Sequence, residues 1–183
     1  MSIPDRDAPE ETLWRGRFLE ARRRGRWEYA SRPGGIGAAV VLALDGDAVI
    51  LIEQYRVPLG AWCLELPAGL VGDDGASETA EAAGARELEE ETGYRAARTE
   101  SLGEYFSSPG MTDERFTLIR ATGLARVGAG GGVESEDIVV HRVPLADVTD
   151  FVAARREAGV AIDVKLLLLL AGGLLADQRK LSA

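Results

Sequence analysis

Between Glu78 and Tyr94 the chain reads Glu-Thr-Ala-Glu-Ala-Ala-Gly-Ala-Arg-Glu-Leu-Glu-Glu-Glu-Thr-Gly-Tyr. A proline-free run of Ala, Glu and Leu closed by Gly93 predicts one amphipathic helix, with Ser77 a suitable N-cap and Gly93 a natural stop. Residues three and four apart are helix neighbours, about 5–6 Å between Cβ atoms, so Glu87, Glu90 and Glu91 share one face. Three carboxylates that close repel one another unless positive charge lies among them. The only basic residue on the helix is Arg86. The spacing therefore points to a hard divalent cation, Mg²⁺ or Mn²⁺, because such ions prefer oxygen ligands.

Composition narrows the chemistry around that helix. The 183 residues suffice for one domain with a full core. The formal net charge of −9 disfavours binding to a nucleic-acid backbone, which needs clustered Lys and Arg. An acidic protein can still hold a phosphorylated small molecule when a bound metal supplies the positive charge. Cys63 is the single cysteine and His141 the single histidine. No internal disulfide, thiolate site or His-rich zinc site is then available, and nucleophilic catalysis of the Ser-His or Cys-His kind is disfavoured. Carboxylates are left to do acid and base work. His141 reads as structural and Cys63 as a small core residue.

The polar, acidic start lacks the basic and apolar stretches of a signal peptide, and the lone cysteine suits a reducing cytosol. The longest apolar run, Leu166 to Ala176, falls short of the ~20 residues that span a bilayer. It reads as a buried C-terminal helix whose Gly172 and Gly173 allow close packing.

Residues 1–12 read as mobile. Residues 13–32 read as a small strand-rich arm turning at Arg22 to Gly25, and its arginines as a solvated hairpin. Strands are expected at Ile36 to Leu44, Ala48 to Glu53, Trp62 to Leu66, Leu102 to Phe106, Phe116 to Ala121 and Ile138 to Val143. Asp45-Gly46 signals a hairpin. Residues 70–77 and 123–137 read as glycine-rich loops, and Leu145 to Ala158 and Asp163 to Gln178 as helices. This irregular alternation predicts an α/β (α+β) domain, a mixed sheet flanked by helices.

The run from Gly69 to Tyr94 resembles the Nudix box, the signature of hydrolases acting on nucleoside diphosphates linked to another group. Gly72, Glu78, Arg86, Glu87, Leu88, Glu90, Glu91 and Gly93 fit its fixed positions, and Tyr94 stands where an aliphatic residue is commoner. The Pro67-Ala68-Gly69 context aligns Gly69 with the first glycine of the box, which makes the loop to Glu78 three residues longer than usual. Glu53-Gln54-Tyr55-Arg56 and Leu64-Glu65-Leu66-Pro67-Ala68-Gly69 resemble the ADP-ribose pyrophosphatase branch. So do Pro109, sixteen residues past Gly93, and the segment Glu134 to Ile138. Trp27-Glu28 ahead of Arg32 is similar to its adenine-binding strand. The resemblance runs from about residue 13 to 178.

The resemblance implies a Nudix-type mixed sheet sandwiched between helices. Residues 1–34 would be an N-terminal β arm exchanging strands in a homodimer, and 35–183 the hydrolase domain. It implies Glu87, Glu91 and the Ala68 carbonyl as metal ligands. Glu90 would share a second ion, and Arg86 would orient the glutamates through charge-assisted hydrogen bonds. In a loop that closes over substrate, Glu134 would be the general base and Glu136 a further ligand. Phe18 and Trp27 would stack on adenine, Glu28 would accept from its amino group, Arg32 and Arg56 would meet the diphosphate, and Glu114 the terminal ribose. The implied activity is Mg²⁺-dependent hydrolysis of ADP-ribose to AMP and ribose 5-phosphate, in the cytoplasm, on a small nucleoside diphosphate sugar rather than nucleic acid or membrane. ADP-glucose, GDP-mannose or an oxidised nucleoside diphosphate are alternative substrates. A non-catalytic nucleotide-sugar sensor is the reading from another class, disfavoured because every acid of the motif is present.

Overall fold

The computed structural model describes residues 3–72, 78–132 and 137–176. It opens with three antiparallel strands, β1 (Glu10–Arg15), β2 (Glu20–Arg24) and β3 (Trp27–Ser31), in the order β1-β2-β3. The arm thus begins inside the segment expected to be mobile. The expected turn at Arg22 to Gly25 also moves. Arg22, Arg23 and Arg24 pair along β2, and the turn is Gly25-Arg26, with Gly25 at φ 57°. Alternation along β2 pairs its arginines with acids on β1: Arg22 and Arg24 with Glu10, and Arg23 with Glu11. Such exposed pairs are each worth only a few tenths of a kcal/mol, up to about 1. Their effect is to leave the arginine-rich run neutralised within the arm.

The main sheet comprises β4 (Ala38–Asp45), β5 (Ala48–Arg56), β6 (Ala61–Glu65), β7 (Ala68–Leu70), β8 (Tyr94–Phe106), β9 (Arg115–Arg126), β10 (Val139–Pro144) and β11 (Ala161–Ile162). Its order is β11-β6-β5-β4-β9-β8, with β10 on β5 and β7 on β4. The β4–β9 and β6–β11 pairs are parallel and the rest antiparallel, so the sheet is mixed as expected. β4 divides its partners. Its first half pairs with β7 and its second half with β5, through a hairpin whose tip is Gly46-Asp47, Gly46 being at φ 63°. That division brings Ala68 and Gly69 to the sheet surface beside the carboxylate helix.

Three helices cover the two faces: α1 (Ala80–Thr92), α2 (Val148–Glu157) and α3 (Leu167–Ala176). Leu88 of α1 is buried with Val41, Ala43, Ile50 and Ala121, and Ala83 with Ala39 and Ile119. The opposite face buries Val40, Val49, Leu51, Leu64 and Val143 against Val148 and Val152 of α2 and Leu170 of α3. β5 is therefore covered on both sides, which is why its sequence runs apolar from Ala48 to Ile52 instead of alternating. Full burial of a side chain such as Leu88 contributes about 2 kcal/mol.

Several boundaries depart from expectation. The cap of α1 is the Thr79 hydroxyl, which accepts from the Ala82 N–H at 3.2 Å, and Ser77 lies outside the described residues. The stretches ahead of α2 and α3 are short 3₁₀ turns, Leu145–Asp147 and Val164–Leu166. α3 is buried on one side only. Leu167, Leu168 and Leu174 are about half exposed, and a Cβ at Gly172 would meet no atom within 4 Å, so close packing does not require that glycine. No helix among the described residues is long and apolar enough to cross a membrane.

Cys63 lies in the core of β6, and burial pushes its thiol up to about 12. It stays protonated through neutral and mildly alkaline pH, and only the thiolate is nucleophilic. The native protein is expected to resist iodoacetamide at pH 8 and to be labelled at Cys63 only after unfolding, as read by intact mass. Fast labelling of the native protein would mean that β6 opens readily.

Candidate active site

Arg86 is the hub of the carboxylate face. Its Nε donates to Glu78 at 3.0 Å, and Nη1 donates to Glu87 at 2.9 Å and to Glu90 at 3.2 Å. Nη2 reaches the Leu70 carbonyl at 3.4 Å and the second Glu78 oxygen at 3.3 Å. The bonds to Glu78, then the charge of Glu87, hold Arg86 well above its already high ordinary pKa. Glu78 is positioned in turn by the Gly72 N–H, at 2.9 Å, with Gly72 at φ 100°. Both glycines that compete for the first position of the motif are thus used. Gly72 donates to Glu78, and Gly69 leaves room for Glu87. A Cβ on Gly69 would sit 1.9 Å from the Glu87 carboxyl carbon.

Glu91 lies one turn beyond Glu87 and is only 4% exposed. Its carboxylate accepts from the Ala68 N–H at 3.0 Å. Glu89, on another side of α1, pairs with Arg95 at 2.7–2.8 Å instead of standing alone in solvent. On the same sheet face as α1, Arg56 forks onto Glu65 with two bonds of 2.6 Å. The Glu65 carboxylate, and beyond it that of Glu91, raise the Arg56 pKa. Glu65 is 4% exposed and places the guanidinium beside the Glu91 end of the helix. Glu65 and Glu78 carried no role in the sequence reading. The available signal for Glu65 was a charge inside an apolar strand, Leu64-Glu65-Leu66.

The remaining predicted residues gather around the arm. β3 joins the loop before β9 through a parallel bridge between Ala30 and Thr112, with the Ala30 N–H donating to Met111 O at 2.9 Å. The Ser31 hydroxyl donates to Asp113 at 2.9 Å, and Arg32 pairs with Glu114 at 2.8–2.9 Å. Arg32 and Glu114 therefore meet each other, in the loop that carries Pro109. Trp27 and Phe18 are exposed, and Arg17 lies 4.9 Å over the Phe18 ring. Neighbours on a strand face opposite ways, so Trp27 and Glu28 lie on opposite faces of the arm sheet. Glu134 and Glu136 lie outside the described residues. His141 is on the far face from α1, 3.3 Å from Glu53 and packed on Phe151, and keeps its structural reading.

The donor set suits a hard cation. Three carboxylates share one helix face, that of Glu91 is buried, and that of Glu87 lies against Gly69. Among the described residues no three Asp, Glu, His or Cys side chains are drawn around one point, and Arg86 Nη1 lies between Glu87 and Glu90. Carboxylate oxygens of this kind are the donors that Mg²⁺ and Mn²⁺ prefer.

Residues 33–163 match the family model of the NUDIX domain. The chain belongs to the Nudix domain family. Its carboxylate helix is the Nudix box seen in the sequence. The ADP-ribose pyrophosphatase of Mycobacterium tuberculosis is 34% identical over 158 residues, covering 80% of this chain and 71% of the relative. A GDP-mannose pyrophosphatase of Cronobacter sakazakii is 36% identical over 147 residues, covering 74% and 72%. A crystal structure described as an ADP compounds hydrolase superposes with a TM-score of 0.68 at 26% identity, covering 93% of this chain and 94% of that one. Against three other curated relatives the match spans only 56%, 58% and 62% of their lengths. These likenesses confirm the mixed Nudix fold, to which the three strands β1-β2-β3 add a small N-terminal arm.

Proposed function

We propose that the protein is a metal-dependent pyrophosphatase that hydrolyses a nucleoside diphosphate sugar, ADP-ribose foremost, to AMP and ribose 5-phosphate. The observation that carries this reading is the Arg86-centred carboxylate face set against Gly69. Glu87, Glu90, Glu91 and the Ala68 carbonyl are the residues assigned to hold the ion, with Glu136 completing the set. When bound, Mg²⁺ supplies positive charge against the diphosphate and acidifies water. Glu134 takes the proton from the attacking water, whose oxygen bonds one phosphorus. The bridging P–O bond breaks, and its electron pair leaves with the other phosphate. Arg86 keeps Glu87 and Glu90 from collapsing or splaying. Arg56, held by Glu65, is assigned to the diphosphate, and its planar guanidinium suits that contact.

Substrate recognition is assigned to the arm and the loop bolted to it: Phe18, Trp27, Glu28, Arg32, Pro109 and Glu114. The exposed rings of Trp14, Phe18 and Trp27 support a homodimer in which the arm meets a second copy. A cytoplasmic setting accords with the single, buried, unpaired Cys63. GDP-mannose is kept as a second substrate because a GDP-mannose pyrophosphatase is among the relatives.

The test is a comparison of ADP-ribose, ADP-glucose, GDP-mannose and ATP, with Mg²⁺ and with chelator, products being separated by chromatography. AMP from ADP-ribose in Mg²⁺ alone is the expected result. Preference for another sugar nucleotide would retain the chemistry and replace the substrate. Binding without turnover of any compound would replace the enzyme by a sensor.

A further inference from the structure

The last turn of α1 ends against the glycine-rich segment 127–132. The free carbonyls of a helix C-terminus need donors from elsewhere. Here the Gly131 N–H donates to Glu91 O at 2.8 Å and the Gly132 N–H to Glu90 O at 3.1 Å. Gly93 closes the helix at φ 73°, donating to Glu89 O at 2.9 Å. Its own carbonyl accepts from Val127 at 2.8 Å and from Gly128 at 3.2 Å. The two backbones touch with no room for side chains. A Cβ on Gly93 would lie 2.4 Å from Gly128 O, and one on Gly130 would lie 2.4 Å from the Thr92 carbonyl carbon. Gly130, Gly131 and Gly132 run consecutively at φ 71°, 107° and 77°, conformations that only glycine adopts without strain.

We infer that segment 127–132 is a positioning clasp for the ion-holding end of α1. It grips by their carbonyls the same two residues, Glu90 and Glu91, whose carboxylates the proposed function assigns to the metal. A glycine-rich stretch that reads as a loop in sequence is, over these residues, a fixed backbone-to-backbone joint. The clasp orients the glutamates through the helix and touches neither substrate nor ion. This inference rests on the proposed metal site but not on any one substrate.

The test compares wild type, Gly130→Ala and Val152→Ala. Val152 is a buried residue of α2, on the opposite face of the sheet, and controls for lost stability alone. Mn²⁺ affinity is read by calorimetry without substrate, and amide exchange at Gly131 and Gly132 by NMR. Slow exchange of both amides is expected in wild type, with Mn²⁺ affinity about fivefold or more weaker in Gly130→Ala and unchanged in Val152→Ala. With ADP-ribose, kcat should fall while KM holds. Mn²⁺ affinity in Gly130→Ala equal to wild type, or weakened equally in Val152→Ala, would overturn the clasp. Were wild type to turn over nothing, the proposed reaction would fall, and Mn²⁺ affinity and amide exchange would still decide the clasp. Should Gly130→Ala not fold, Gly131→Ala replaces it, because a Cβ there is strained in backbone but meets no atom within 4 Å. Its expected weakening is about twofold, and none would overturn the inference.

Discussion

Glu91→Gln is expected to lower kcat by on the order of 10³-fold, the scale seen when one preorganised charge-stabilising group is removed from an active site. The side chain is nearly isosteric, and the amide oxygen can still accept from Ala68 N–H, so the fold should survive. In chelator, the melting temperature of the variant should equal or exceed that of wild type, because one of several crowded carboxylates has lost its charge. Bound at the proposed site, Mg²⁺ should raise the wild-type melting temperature by mass action, and that of Glu91→Gln far less. Calorimetric scans with and without Mg²⁺, beside turnover assays, separate the two effects. A loss of activity below about tenfold, with the Mg²⁺ stabilisation retained, would remove Glu91 from the ligand set.

Arg86→Gln should damage both stability and activity. The guanidinium joins Glu78, Glu87 and Glu90 and is 17% exposed, while Glu78 is 10% exposed. Removing the arginine leaves Glu78 and Glu87 partly desolvated and mutually repelling, with Glu90 more exposed, a loss of about 2–4 kcal/mol. For a domain of this size that lowers the melting temperature by roughly 5–15 °C. The deficit should shrink as Mg²⁺ is added, because a cation bound among Glu87, Glu90 and Glu91 replaces part of the lost charge. Arg86→Lys restores the charge without the fork and can satisfy fewer of the three acids at once, so it should recover stability more than activity. A melting temperature of Arg86→Gln equal to wild type in chelator would show that the cluster does not depend on its arginine.

Much of this could be read from residues alone. The 3.6-residue spacing of Glu87, Glu90 and Glu91, the stop at Gly93 and the unbroken apolar stretch of β5 are local patterns, and each became the expected element. The strand expected at Leu102 to Phe106 begins at Tyr94, as β8. Its first half shows only a weak pattern in sequence, because Tyr94 and Ala96 are its sole apolar core contacts, while Arg95, Ala97 and Arg98 face solvent. The N-cap moved from Ser77 to Thr79 because both residues can cap, and only the packed helix decides which hydroxyl meets a free N–H. The glycines of 128–132 were legible as a loop but not as a joint, since their partners are carbonyls some forty residues earlier in the chain.

The sequence by itself determined the family, the mixed fold and the acidic face of α1, because periodicity, capping and a fixed spacing of side chains act over one or two helical turns. Only the tertiary structure decided who holds whom. Arg86 is fastened by Glu78, Arg56 by Glu65, Arg32 by Glu114, Glu87 fits against bare Gly69, and α1 ends on Gly131 and Gly132. Except for Arg86 and Glu78, these partners come from different elements of the fold. The division of β4 between β5 and β7 brings Gly69 to Glu87, and elsewhere burial makes an unpaired charge or carbonyl too costly to leave.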